Sequence, residues 1–160
     1  MGRMSQEKIP EVQIFRGLTK DELKIIAAHC QKVDFTKDQT LIEEGGEVSA
    51  LFILLKGQLK VFLPQKTEGV GKLRSADVDL NILKEGDCFG EYSLIDKAPA
   101  SASIVAMEPG QVIKISHDDL KGIFQVHDRM GRIIYYNMLQ ILTKRLKEKD
   151  TEIDLSLIGR

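Results

Sequence analysis

Gly86-Asp87-Cys88-Phe89-Gly90-Glu91-Tyr92-Ser93-Leu94-Ile95, followed by Pro99-Ala100-Ser101-Ala102-Ser103, is the stretch from which the rest of the chain is read. A glycine at position 90 lets the backbone turn sharply and approach a ligand closely. Glu91 to Ile95 then has the length of one helical turn, whose first amides find no partner inside the helix. Such a start is an anion site.

Outward from this stretch, between residues 32 and 116, short runs of Val, Ile, Leu and Phe end repeatedly in Gly, Pro or Asp, the pattern of many short strands. The expected strands are Lys32 to Phe35, Thr40 to Glu43, Leu51 to Lys56, Gln58 to Leu63, Val78 to Leu83, Cys88 to Gly90, Ser101 to Met107 and Gln111 to Ser116. Eight strands with turns between them predict a mainly β fold, a jelly roll with flanking helices. Lys56-Gly57-Gln58 is its clearest turn, and the polar segment Pro64 to Asp77 reads as a mobile hairpin loop.

Helices are predicted on both sides. Thr19 with Glu22 forms a capping box ahead of Leu23, Ile26, Ala27 and Cys30, which share one helical face. Ser116 with Asp119 marks a second start, leading to Leu120, Ile123 and Phe124. A longer helix is expected from Asp128 to Asp150, where Tyr135, Leu139, Leu142, Leu146 and later Ile153 form a seam beside a stripe of Ile134, Met138 and Ile141. One face packs on the roll and the other on a partner, so a homodimer through the helix 128–150 is the expected assembly. The domain is drawn at 9–150, between a flexible N-terminus at 1–8 and a C-terminal tail at 151–160.

The 160 residues suit one domain. With 23 Lys plus Arg against 24 Asp plus Glu, no overall basic field draws the chain to nucleic acid. The run Lys144-Arg145-Leu146-Lys147-Glu148-Lys149 is broken by acid and reads as a solvated helix face. No apolar run approaches the roughly 20 residues of a membrane span, and no signal peptide opens the chain, so a cytoplasmic location is expected. Cys30 and Cys88 read as core residues. His29, His117 and His127 have no ligand-spaced partner and no Ser, His and acid grouping appears, so neither a metal, a cofactor nor an enzyme activity is expected.

Phe89-Gly90-Glu91, Leu94 and Pro99-Ala100-Ser101-Ala102-Ser103 resemble the phosphate-binding cassette of cyclic-nucleotide-binding domains, which reads Phe-Gly-Glu, two variable residues, Leu, then Pro-Arg-x-Ala and Thr or Ser. Leu41 to Gly45, Phe52 to Val61 and Phe15-Arg16-Gly17-Leu18 are also similar to that family, so the likeness spans about residue 9 to residue 146. It implies a regulatory sensor whose ligand, cyclic AMP or cyclic GMP, meets Phe89, Gly90, Glu91, Tyr92, Ser93, Ala100, Ser101, Ala102 and Ser103. Glu91 then takes a ribose hydroxyl, Ala102 offers its amide to the phosphate, Ser103 hints at guanine, and Val61 and Leu80 pack on base or sugar.

The chain departs from that pattern at one place. Where the cassette carries its arginine, this sequence has Ala100. Losing a charge-assisted contact to a phosphate costs about 2 to 5 kcal/mol, on the order of thirty to several thousand fold in affinity. Three outcomes are open. A cation from elsewhere takes over, with Lys97, Arg129 and Arg132 as candidates; or the pocket takes a different or less charged ligand through Ser101 and Ser103; or the domain is a ligand-independent interaction module. Weak binding of cyclic AMP, cyclic GMP or another small anion, transmitted through the C-terminal helix, is the leading expectation. A helix-turn-helix has no room in the ten residues after Asp150, so DNA reading within this chain is not expected.

Overall fold

Alternation of side chains along two strands explains the architecture of the computed structural model, which describes residues 11–159. Along Ala50–Lys56 (β3), Leu51 and Ile53 join one buried cluster while Leu54 joins another; along Gly110–Ser116 (β8), Ile113 and Ile115 go one way and Val112 the other. Successive side chains of a strand point to opposite faces, so both strands must be covered on both sides. One face looks into the roll, onto Phe35, Leu59, Leu83, Phe89, Ile104 and Ala106. The other is covered by helices, through Ile26, Leu120, Met130 and Ile134.

Among the described residues eight strands form two four-stranded antiparallel sheets, as expected of a jelly roll. Gln31–Phe35 (β1), β8, β3 and Cys88–Phe89 (β6) make the first, in that order. Thr40–Ile42 (β2), Ser103–Ala106 (β7), Leu59–Leu63 (β4) and Val78–Leu83 (β5) make the second. Most strand limits fall within a residue of those expected. The exception is β7, which begins at Ser103 and ends at Ala106 because Ser101 and Ala102 stay in the loop before it. The β3–β4 turn falls at Gly57, whose φ of +98° favours glycine.

The loop Pro64 to Asp77 is tied down. Lys66 and Arg74 exchange both backbone hydrogen bonds, and the Arg74 guanidinium donates to the Pro64 carbonyl and to Glu44. A polar, glycine-bearing sequence is thus held by a long-range ion pair, which composition alone does not register.

The helices start where their caps lie. Thr19 and Glu22 complete the reciprocal capping box of Lys20–His29 (α1), and the Ser116 hydroxyl accepts from the Asp119 amide at the start of His117–Val126, which we call α3 after the cassette helix α2 (Tyr92–Asp96). The last helix, α4, runs Asp128–Ile158, well past the expected end at Asp150, and the expected tail 151–160 is helical as far as Ile158. No proline or glycine interrupts it after Gly131, so nothing local stops the helix. The expected flexible segment 1–8 lies outside the described residues.

The first half of α4 is fixed to the body. Met130, Ile134, Asn137 and Met138 are buried, and the Asn137 side-chain amide donates to the carbonyls of Ile14, in the N-terminal 3-10 turn Gln13–Phe15, and of Arg16, which caps it. Beyond Met138 none of the described residues of α4 is buried. The expected seam divides accordingly: Tyr135 packs edge-on against Phe124, Leu142 and Leu146 turn toward the roll, and Leu139 is exposed.

Candidate functional site

Gly90 sits where strand becomes cassette, with φ +82°. A β-carbon there would lie 2.4 Å from the Ala50 carbonyl oxygen, so only glycine lets β6 run this close to β3 before the chain turns. Phe89 stacks on Phe52 at 4.8 Å between ring centroids, fixing the strand on the other side. Tyr92–Asp96 (α2) follows as the single expected turn, with Glu91 at its N-cap and Lys97 closing it in the left-handed conformation.

In front of this turn lies a cavity of about 600 Å³, within the range of roughly 300–1,000 Å³ usual for small-molecule sites. Of the residues expected at a site, Phe89, Gly90, Glu91, Tyr92, Ser93, Ala100, Ser101, Ala102, Val61 and Leu80 line it. Ser103 does not. It begins β7 with its hydroxyl turned to the Glu44 amide at 2.9 Å, a bond that holds the β2–β3 turn to the cassette's exit. The Ser93 hydroxyl is likewise engaged, donating to the Ala98 carbonyl.

The opposite wall is α4. Leu142, Arg145, Leu146 and Lys149 recur at three- and four-residue spacing and so share one helix face, which looks into the cavity. Arg145 pairs with the Glu91 carboxylate and donates to the Cys88 carbonyl at 2.7 Å, while Lys149 donates to the Leu80 carbonyl at 3.1 Å and to Glu152 at 2.8 Å. Glu91 is only 3 % exposed, and the guanidinium in contact offsets part of the cost of burying its carboxylate. That carboxylate beside it in turn favours the charged guanidinium and holds the Arg145 pKa above its ordinary value, against the opposing effect of burial.

The expected substitute cations are corrected by this arrangement. Arg129 is spent on Glu22 and the Gly17 carbonyl, and Lys97 and Arg132 are exposed away from the cavity. Arg145, read from the sequence as part of a solvated basic face, is the residue that reaches Glu91. Its signal was present in the spacing: it lies between Leu142 and Leu146, on the apolar face rather than the polar one.

His117, the first residue of α3, fastens the cassette from behind. Its Nε2–H donates to the Gly90 carbonyl at 2.9 Å and its own amide donates to the Ser49 carbonyl. Burial holds the imidazole below the ordinary histidine value of 6.5, outweighing the bond to Gly90, which acts the other way. The unfolded chain therefore takes up a proton that the folded one resists. This contribution to stability is complete above about pH 6.5 and is lost as the pH falls through that value toward the folded pKa. Thermal melts from pH 7.5 to 5.5 are expected to show a decline that His117→Gln flattens; parallel curves for the two proteins would contradict it. Burial also pushes the Cys88 thiol on the cavity wall up to about 12, in keeping with a packing role.

The model of the cyclic nucleotide-binding domain matches residues 32–127, more than half of the chain. The chain belongs to the cyclic nucleotide-binding domain family. Among similar proteins, this cyclic nucleotide-binding domain is 28% identical over 142 residues to the cyclic AMP receptor protein of Thermus thermophilus, covering 89% of this chain and 61% of that one. It is 30% identical over 134 residues to the cAMP-dependent protein kinase regulatory subunit of Aspergillus fumigatus, covering 83% of this chain and 30% of that one. A solved cyclic nucleotide-binding domain from Methylobacillus flagellatus superposes with a TM-score of 0.77 at 25% identity, over 87% of this chain and 74% of that one. The domain thus spans less than two thirds of the length of these two curated relatives. Among its described residues no helix is long and apolar enough to cross a membrane, and no cluster of His, Cys, Asp or Glu is arranged to hold a metal ion.

Proposed function

We propose that this domain is a non-catalytic regulatory sensor that takes a nucleotide-like ligand between cassette and α4 and reports it through the second half of that helix. The observation that carries the reading is the composition of the cavity: one wall is the cassette, and the other is Leu142, Arg145 and Leu146 of α4. A ligand there touches both at once. It prefers the arrangement in which α4 is docked, and that difference in affinity is what a sensor needs to shift a helix.

Each residue has a part in this. Val61 and Leu80 supply the apolar surface for a base, with Leu142 and Leu146 opposite. Glu91 keeps one carboxylate oxygen for a sugar hydroxyl while the other stays on Arg145. The body holds α4 through Asn137 and Met138, so the helix pivots from there rather than leaving altogether.

Hydrogen exchange tests the reading. Millimolar cyclic AMP or cyclic GMP is expected to raise the melting temperature and to slow amide exchange in residues 142–152 about tenfold, with little change before Met138. A second reading, a ligand-independent interaction module that includes the homodimer expected from the helix, is favoured by Tyr136 and Leu139, both more than 60% exposed on the outer side of α4. Under that reading neither nucleotide alters melting or exchange.

A further inference from the structure

The charges around the cavity are unbalanced. Glu91, Asp96, Glu148 and Glu152 line it against Arg145 and Lys149, four carboxylates to two cations. Both cations are already compensated: Arg145 by the Glu91 carboxylate and the Cys88 carbonyl, Lys149 by Glu152 and the Leu80 carbonyl. A phosphate entering here would have to draw the guanidinium away from a buried carboxylate, leaving Glu91 unpaired, or compete with Glu152 for the half-exposed Lys149 ammonium at the rim. At position 100, beside the cassette turn, the wall is a methyl group.

The rest of the lining has a different preference. Val61, Leu80, Ile104, Leu142 and Leu146 present apolar surface, and the second carboxylate oxygen of Glu91 offers an acceptor for a hydroxyl or amino donor. An uncharged ring carrying hydroxyl groups loses little on leaving water for such a site. A monoanion loses its hydration and gains no unpaired cation.

We propose that the ligand class of this domain is the uncharged nucleoside rather than its cyclic phosphate. Arg145 performs one task, neutralising Glu91 from α4, and the second task, holding a phosphate, is assigned to no side chain of the cavity. The inference rests on the reading that the cavity takes a nucleotide-like ligand, and it names the charge that ligand carries.

The test is calorimetric titration of the protein with adenosine, guanosine, cyclic AMP and cyclic GMP, alongside Ala100→Arg. In the wild type at least one nucleoside is expected to bind at least about tenfold more tightly than its own cyclic phosphate, and in Ala100→Arg the order reverses. Circular dichroism melts establish that the variant is folded, and the wild-type ratio stands without it. Cyclic nucleotides binding the wild type as tightly as the nucleosides overturn the neutral-ligand assignment and leave the sensor reading in place. Absence of binding by all four overturns both, and cyclic nucleotide binding gained only in Ala100→Arg then shows that the pocket had lost nothing but its anchor.

Discussion

Gly90→Ala is expected to destabilise the domain by about 3 kcal/mol or more and to abolish ligand binding together with stability. Two costs combine. An alanine at φ +82° is strained by about 1 kcal/mol or more, and its β-carbon would have to lie 2.4 Å from the Ala50 carbonyl oxygen. That neighbour is backbone at the start of β3, paired to β8 at Ser116, so it cannot yield as a flexible side chain would. The variant must therefore part β6 from β3 or swing the cassette off the His117 imidazole that holds the Gly90 carbonyl. Urea unfolding measures the first effect; a midpoint shift worth less than about 1 kcal/mol would refute this account of the turn.

Arg145→Ala is the second large effect, and it tests the neutralisation of Glu91 by itself. Glu91 is left buried at 3 % exposure without its cation, and breaking a buried pair costs about 3 to 5 kcal/mol. The expected loss is near the lower end, about 3 kcal/mol, because the Arg145 side chain is 25% exposed and water reaches the gap from the cavity. Adding Glu91→Gln removes the orphaned charge and is expected to restore part of that loss, so a double-mutant cycle isolates the pair. Exchange in residues 142–152 should rise in Arg145→Ala, since the half of the helix beyond Met138 then keeps the Lys149 bond to the Leu80 carbonyl as its polar tether to the roll. A single variant within about 0.5 kcal/mol of wild type would mean that the contact behaves as a surface ion pair and that α4 is docked by other means.

These effects fall on the two features that differ most in how far they can be read from sequence. The turn at Gly90 is local. A glycine after a strand and before a capping-length helix is constrained by its own backbone, so its conformation follows from the residue type and its neighbours. The same holds for the Thr19 and Glu22 capping box, for the Ser116 cap and for all eight strands, whose limits are marked by glycine, proline and alternation within a few residues. Where the reading used only short-range chemistry, the elements stand where expected.

The cation at Glu91 is of the other kind. It comes from 54 residues away, and Arg145 stands within a run of charges that looks like any solvated helix face. Lys97 is near Glu91 along the chain, but it closes α2 in a left-handed turn that leaves it exposed; Arg129 is on the same long helix but meets Glu22 first. Residue type and sequence distance rank these candidates wrongly because the choice is made by the direction in which α4 crosses the roll, and that direction is set by Asn137, Met138 and Ile134 packing against the N-terminal turn and α3. The helix runs past Asp150 to Ile158 because no residue there breaks it.

From its residues alone, then, this chain specifies a roll of eight strands, a glycine-dependent cassette and the absence of an arginine at position 100, because each depends on backbone chemistry within a few positions. Which cation stands beside Glu91, and hence what charge the cavity holds, was decided only by tertiary structure. Electrostatic energy depends on distances between side chains remote in sequence, and those distances come into being when α4 docks.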